Sequence, residues 1–284
     1  DATVSYDGPL AVLTSRFSAS ASEIFAGALQ NYGRAVIIGD STTHGKGTVQ
    51  AVLEMKNFLP RPSQNAADIG AAKLTVQKFY LPNGASTQKH GVTPDITLPS
   101  IDDYLPIGES DLPHALMWDE IKSVPFDGHA LARTFVQPLL TASRERQHTL
   151  EEFSYLNKHI DWFKERQEQK SISLNLGARQ LLKQTDGDFK KTMDAERDRL
   201  AKSNYPSREV KLDSTLKTAS TPPKEPAAPA DEGDTDTPDA ETSAKLDVHL
   251  REALRVVTDA LRLNQDQSYW ADGRAPLTAT LHKG

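Results

Sequence analysis

The chain has 284 residues, enough for more than one domain, and its formal net charge of −6 disfavours a nucleic-acid backbone as the main partner. It has no cysteine, which excludes disulfides and thiolate metal sites but leaves the compartment open. No apolar run reaches the length that spans a bilayer as a helix.

Leu10 to Leu13 form a short apolar run that reads as a buried strand. The chain then turns through Ser15-Arg16-Phe17 into the cluster Ser18-Ala19-Ser20-Ala21-Ser22-Glu23. From there Ala21, Ile24, Phe25, Ala28 and Leu29 fall on one helical face, and Gly33 is the stop. Ser20 therefore stands where strand passes into helix, beside unpaired N–H groups and a partial positive charge. An oxyanion formed by its attack on a carbonyl would be held by the Ala21 N–H. Serines also cap helices routinely, so this segment alone supports either reading.

Arg34 to Ile38 reads as a second strand, Gly39 to Gly47 as a tight loop, and Gly47 to Leu53 as a third strand. If strand geometry already holds at Lys46, then Lys46, Thr48 and Gln50 share one face. A lysine serves as general base only when its amine is uncharged, which burial among apolar groups favours. Glycines on both sides let the backbone bring that amine close to the helix start. The plain alternative is a solvated loop lysine.

Met55 to Gly70 is polar and proline-punctuated, an excursion between strands. Lys73 to Tyr80 alternates as a strand, Pro82-Asn83-Gly84 turns the chain, and Lys89 to Ile96 closes the core. His90 has no second ligand at a metal-binding spacing and reads as a surface residue. Beyond Pro99 the pattern becomes helical. Pro138 is expected to break or restart a helix within Ala130 to Leu140. Thr149 and Glu152 fit a capping box ahead of an apolar stripe through Phe153, Leu156, Ile160 and Phe163. Gly177 to Lys202 is a further helix built on Leu181, Leu182, Phe189, Met193 and Leu200, and Glu209 to Leu216 reads as a short strand. Lys217 to Ser243 is acidic and rich in proline, the composition of a disordered linker or an acidic docking tail. After it, Leu246, Leu250, Leu254, Val257 and Leu261 make a stripe that buries against the preceding helices or a partner, with Trp270 as an anchor.

Ser18-Ala19-Ser20-Ala21-Ser22-Glu23-Ile24, Gly45-Lys46-Gly47-Thr48-Val49-Gln50, Lys73 to Gly84 and Lys89 to Ile96 occur in this order. Together they resemble the carboxy-terminal processing peptidases, in particular the tail-specific protease branch, clearly over Pro9 to Pro99 and more faintly through the helical remainder. The resemblance implies an α/β (α+β) protease core of the ClpP/crotonase-like type in residues 1–100. A mostly helical domain over 101–216, the linker at 217–243 and a terminal amphipathic helix and tail over 244–284 follow. It makes Ser20 the nucleophile, Lys46 the general base and Gln50 the residue that orients it. Ala21 falls on the position whose N–H serves the oxyanion hole, and Glu23 and Thr43 fall on supporting positions. Asn31 stands where some members carry an aspartate, which removes a carboxylate there. The loop Ser41-Thr42-Thr43-His44 is one residue longer than usual, with His44 where an aromatic is common; its imidazole is a rival base for Ser20.

The resemblance further implies no metal and no cofactor. It implies protein substrates with exposed apolar carboxy termini, an adaptor protein as a further partner, and a periplasmic setting at the cell envelope of a Gram-negative bacterium. Members carry upstream an export signal, a PDZ module and a glycine-rich strand that completes the oxyanion hole. The chain opens at Asp1-Ala2-Thr3-Val4, so the expectation is the carboxy-terminal piece of a larger enzyme, feebly active alone. A non-catalytic scaffold or adaptor-binding module is the alternative.

Overall fold

The computed structural model describes residue 6 and residues 8–58, 70–202 and 246–265. Its first part carries β1 (Ala11–Thr14), α1 (Ala21–Asn31), β2 (Val36–Gly39), β3 (Thr48–Glu54), β4 (Ala71–Lys78) and β5 (Ile96–Thr97). β1, β2 and β5 form a parallel sheet in that order, with Ala11 opposite Val36 and Ile38 opposite Ile96. Val36, Ile37 and Ile38 are all buried, which is why this strand is a continuous apolar run rather than an alternating one. On one side, Ile37 and Val12 pack with Ala26 and Leu29 of α1 and with Ala35 and Val92.

Asp95 locks this layer to α1. It exchanges backbone and side-chain bonds with Ile37: its N–H donates to the Ile37 carbonyl and its Oδ2 accepts from the Ile37 N–H, both at 2.8 Å. Its Oδ1 accepts from Gln30 Nε2 of α1 at 3.1 Å. Burial raises the Asp95 carboxyl above its ordinary 3.8, against the opposing effect of those hydrogen bonds.

β3 and β4 pair separately as an antiparallel ribbon, with an irregularity between Val49 and Gln50. A 3-10 turn at Met55–Phe58 follows β3, and residues 59–69 of the expected excursion lie outside the described residues.

The helical part comprises α2 (Arg133–Thr149), α3 (Glu151–Glu168), α4 (Leu176–Ala201) and α5 (Val248–Gln265). The described residues fall into two units, one within Asp1–Ser173 and Val248–Gly284 and the other within Leu174–Asp247. In the first, α2 packs on β5 and α3, while α5 packs on β1, α2 and α3. Phe135, Leu139, Phe153 and Val256 are buried there. In the second, α4 starts at Asn175, whose Oδ1 accepts from the Ala178 N–H at 3.0 Å, and it buries Met193 and Leu200. The expected strand at Glu209 to Leu216, the linker and Trp270 lie outside the described residues. No described helix is long and apolar enough to cross a membrane.

Four expectations about helices need correction. Pro138 does not break α2: it sits in the second turn, where the lost N–H bond is near the helix end, and buried Phe135 and Leu139 hold the helix in place. The Thr149–Glu152 capping box does not form, because α2 runs on to Thr149, whose hydroxyl donates back to the Glu145 carbonyl at 2.9 Å. Glu152 is used elsewhere: Arg251 Nη1 donates to its Oε2 at 2.9 Å and Arg255 Nη1 to its Oε1. In α5 the buried positions are Val248, Arg251, Glu252, Ala253, Val256 and Ala260, while Leu250, Leu254 and Leu261 of the expected stripe are exposed. In α1, likewise, Glu23, Ala26 and Gly27 are buried, whereas Ile24 and Phe25 of the expected face are exposed. Both helices approach their neighbours on the side with small residues, and in each the charge on that side is fully partnered.

Two predictions follow from these contacts. Glu152→Ala removes the buried carboxylate to which Arg251 and Arg255 both donate and lowers stability by about 3 kcal/mol in urea denaturation; a change below about 0.5 kcal/mol would contradict the packing of α5 described above. Because the folded state holds the Asp95 proton more tightly than the unfolded chain, its contribution to stability declines as pH rises from 3.8 through the raised folded-state pKa. Urea unfolding across that range should show wild type losing stability relative to Asp95→Asn as pH rises; parallel curves would refute the assignment.

Candidate active site

The turn between β1 and α1 is closed by several short bonds. Asp40 Oδ2 accepts from the Arg16 N–H at 2.7 Å, Ser18 Oγ from the Ser15 N–H at 3.0 Å, and Ser15 Oγ from the Phe17 N–H at 3.2 Å. Burial raises the Asp40 carboxyl, against the Arg16 bond, which lowers it. The chain leaves this turn through Ser20 with φ 57° and ψ −111°, a conformation that costs a non-glycine residue about 1–3 kcal/mol. A strained strand-to-helix turn of this kind is how a nucleophilic serine is presented at the edge of a sheet. Ser20 Oγ makes no cap bond; the Glu23 N–H donates to the Ser20 carbonyl instead, at 3.0 Å. The Ala21 N–H, in the first turn of α1, donates to no acceptor among the described residues.

Glu23 is fully buried and its carboxylate joins two loops. Oε2 accepts from the Ser20 N–H and from the Lys46 N–H, each at 2.8 Å. Oε1 accepts from Thr43 Oγ1 at 2.5 Å and from the Gly45 N–H at 2.6 Å. Thr43 Oγ1 also accepts from the Val92 N–H at 2.8 Å, which ties the assembly to the segment before β5. The serine turn and the lysine loop thus share one carboxylate.

The lysine loop has its own constraints. Gly45 has φ 93°, and its carbonyl accepts from the Lys89 N–H at 2.7 Å. A Cβ on Gly47 would come within 2.7 Å of the Gln88 nitrogen and the Ser86 hydroxyl. The loop is therefore threaded where only glycine fits on either side of Lys46. The Lys46 side chain is half-buried, and among the described residues its Nζ and the Ser20 hydroxyl form no hydrogen bond with each other.

Gln50 is exposed on β3, whereas Lys46 is half-buried in the loop before it. β3 starts at Thr48, so the strand geometry that would align Lys46 with Thr48 and Gln50 does not extend back to Lys46; the extra residue of the ribbon, Val76, lies on β4. Thr48 is buried and Gln50 exposed, so the two do not share an environment. His44 N–H donates to the Ser18 carbonyl at 3.0 Å, but its Nδ1 faces Glu109 Oε2 at 4.0 Å rather than Ser20. Asn31 lies at the opposite end of α1, about 16 Å along the helix from Ser20. Its Nδ2 donates to the Gly27 carbonyl at 2.9 Å and its Oδ1 accepts from the Asn83 N–H at 3.0 Å, so it fastens the Pro82-Asn83-Gly84 turn. His90 is exposed and stacks on Trp118 at 5.0 Å. Among the described residues no group of His, Asp and Glu is arranged to hold a metal ion.

Two residues that the sequence pattern did not single out belong to the same network. Gln88 is fully buried against Gly47, and Glu109 contacts both Gln88 and His44. Gln88 immediately precedes the Lys89 to Ile96 motif, a signal that marks the segment but not the residue, and Glu109 lies in no motif, so the folded chain identifies them.

Residues 103–262 match the family described as the C-terminal domain of tail specific protease, and residues 1–98 match Peptidase family S41. The chain is 41% identical over 178 residues to the tail-specific protease of Haemophilus influenzae, covering 62% of this chain and 25% of that protein. It is 41% identical over 110 residues to the carboxy-terminal-processing protease of Bartonella bacilliformis, covering 37% and 23% respectively. With CtpB, the carboxy-terminal processing protease of Bacillus subtilis, it shares 39% identity over 111 residues, 39% of this chain and 20% of the relative. The chain therefore spans a quarter or less of the length of these relatives. The serine turn and the lysine loop fall in the S41 match and the helices in the tail-specific match, and on these grounds the chain belongs to the S41 peptidases, a serine protease family, in their tail-specific protease branch.

Proposed function

We propose that this chain carries the Ser20–Lys46 dyad of a serine endopeptidase that cleaves proteins with exposed apolar carboxy termini. The supporting observation is the Glu23 carboxylate, one oxygen of which accepts the backbone N–H of both Ser20 and Lys46 at 2.8 Å. In this reading Ser20 Oγ attacks the scissile carbonyl while its proton passes to Lys46 Nζ. The tetrahedral oxyanion is received by the Ala21 N–H. The C–N bond then breaks as Lys46 returns the proton to the leaving amine, and a water, deprotonated by Lys46, hydrolyses the acyl-enzyme.

In this reading the Lys46 amine meets the Ser20 hydroxyl when substrate is bound, and Gln50 orients it. Glu23 and Thr43 support the two loops, and Asn31 replaces a carboxylate without loss because its contacts are structural. The core is of the ClpP/crotonase-like type, and the setting is the periplasm. Among the described residues this reading assigns one oxyanion donor, the Ala21 N–H; because one such donor is worth about 10²–10³ in rate, full activity is assigned to the complete gene product rather than to this chain alone. The open hydrogen bond between Ser20 and Lys46 supports the second reading, a non-catalytic scaffold or adaptor-binding module.

The complete gene product, given a substrate with an apolar carboxy terminus, separates these readings. Ser20→Ala and Lys46→Ala should each lower kcat by about 10³-fold or more while the protein stays folded. His44→Ala should retain most activity. Cleavage that survives Lys46→Ala but is lost in His44→Ala would overturn the lysine assignment, and cleavage unaffected by Ser20→Ala would overturn the peptidase reading.

A further inference from the structure

Gln88 uses both ends of its buried amide. Oε1 accepts from the Gly47 N–H at 2.9 Å, while Nε2 donates to Glu109 Oε1 at 3.0 Å and to the Leu116 carbonyl at 3.1 Å. This fixes the amide's orientation, since the flipped form would set its NH₂ against the Gly47 N–H and its oxygen against two acceptors. Glu109 also reaches the lysine loop directly, because its N–H donates to the His44 carbonyl at 2.8 Å. Lys46 is therefore held on three counts: its own N–H by Glu23, the next residue's N–H by Gln88, and the carbonyl two residues earlier by Glu109. Glu109 and Leu116 lie in the stretch that matches the tail-specific C-terminal domain, whereas Lys46 and Gln88 lie in the S41 match.

We propose that Gln88, oriented by Glu109, is a positioning residue for Lys46, so that the tail-specific segment completes the lysine loop of the peptidase segment. This rests on the Ser20–Lys46 reading. A lysine stem is long and flexible, and its amine is placed only as well as its backbone anchors are. Losing the Gly47 N–H anchor leaves the bonds on the N-terminal side of Lys46 in place and loosens the loop on its C-terminal side. A displacement of about 1 Å at the reacting group is enough to cost on the order of 10²-fold in rate.

The test uses kcat and KM of the complete gene product, with active-site titration and thermal melting to count folded, competent molecules. Gln88→Leu is expected to lower kcat per active site by about 30–100-fold with KM within about twofold of wild type. Glu109→Gln keeps an acceptor for Gln88 Nε2 and should stay near wild type. Glu109→Leu should fall as far as Gln88→Leu, and the double variant no further than either alone. If Gln88→Leu does not fold, the contrast between Glu109→Gln and Glu109→Leu carries the test. A folded Gln88→Leu or Glu109→Leu with wild-type kcat per active site, beside an inactive Lys46→Ala, overturns this inference and leaves the dyad standing. An active Lys46→Ala overturns the reading beneath it.

Discussion

One buried carboxylate sets the geometry of this chain. Glu23 takes four donors from two loops that are more than twenty residues apart, and it does so from inside the first turn of α1. Burying a carboxylate costs several kcal/mol unless charge-assisted hydrogen bonds offset it, so the donors and the charge require one another. The same interaction holds Ser20 in its strained turn. The Ser20 N–H points at Glu23 rather than continuing the strand, which leaves the hydroxyl outside the cap and the Ala21 N–H unpaired. Without Glu23 both the strain and the approach of the lysine loop would relax.

That carboxylate works only because α1 is itself fixed. Asp95 ties Ile37 of the parallel sheet to Gln30 on the helix, and the apolar cluster of Ala26, Ile37 and Val92 fills the space between. From the other end of the described chain, α5 returns to β1, with Arg251 and Glu252 buried against partners on α3 and α2. The sheet that presents Ser20 is thus braced by helices that come from both families matched along the sequence.

Much of this was legible in the residues. The strand-to-helix turn at Ser20, the glycines around Lys46 and the apolar run of β2 each have a local cause that survives folding. The two misread helix faces share one cause. In α1 and α5 the widest apolar stripe is not the buried face: the helices bury Glu23 and the Arg251–Glu252 pair, next to Ala26, Gly27, Ala253 and Ala260. Small residues permit close approach and partnered charges can be buried with them, but the partners are far away in sequence and invisible to periodicity. The same limit hid Gln88 and Glu109, whose roles exist only through tertiary hydrogen bonds. Gln50 differs for a local reason: β3 begins at Thr48, two residues later than a face shared with Lys46 requires.

In the proposed dyad, Ser20 and Lys46 meet at a peptide carbonyl. A crystal structure of the complete gene product inhibited by a peptide boronate tests it most directly. The dyad requires a covalent bond from Ser20 Oγ to boron, a boronate oxygen about 2.7–3.1 Å from the Ala21 nitrogen, and Lys46 Nζ within about 2.6–3.2 Å of Ser20 Oγ. An unmodified Ser20, or a modified one with the Lys46 amine directed into solvent, would contradict it.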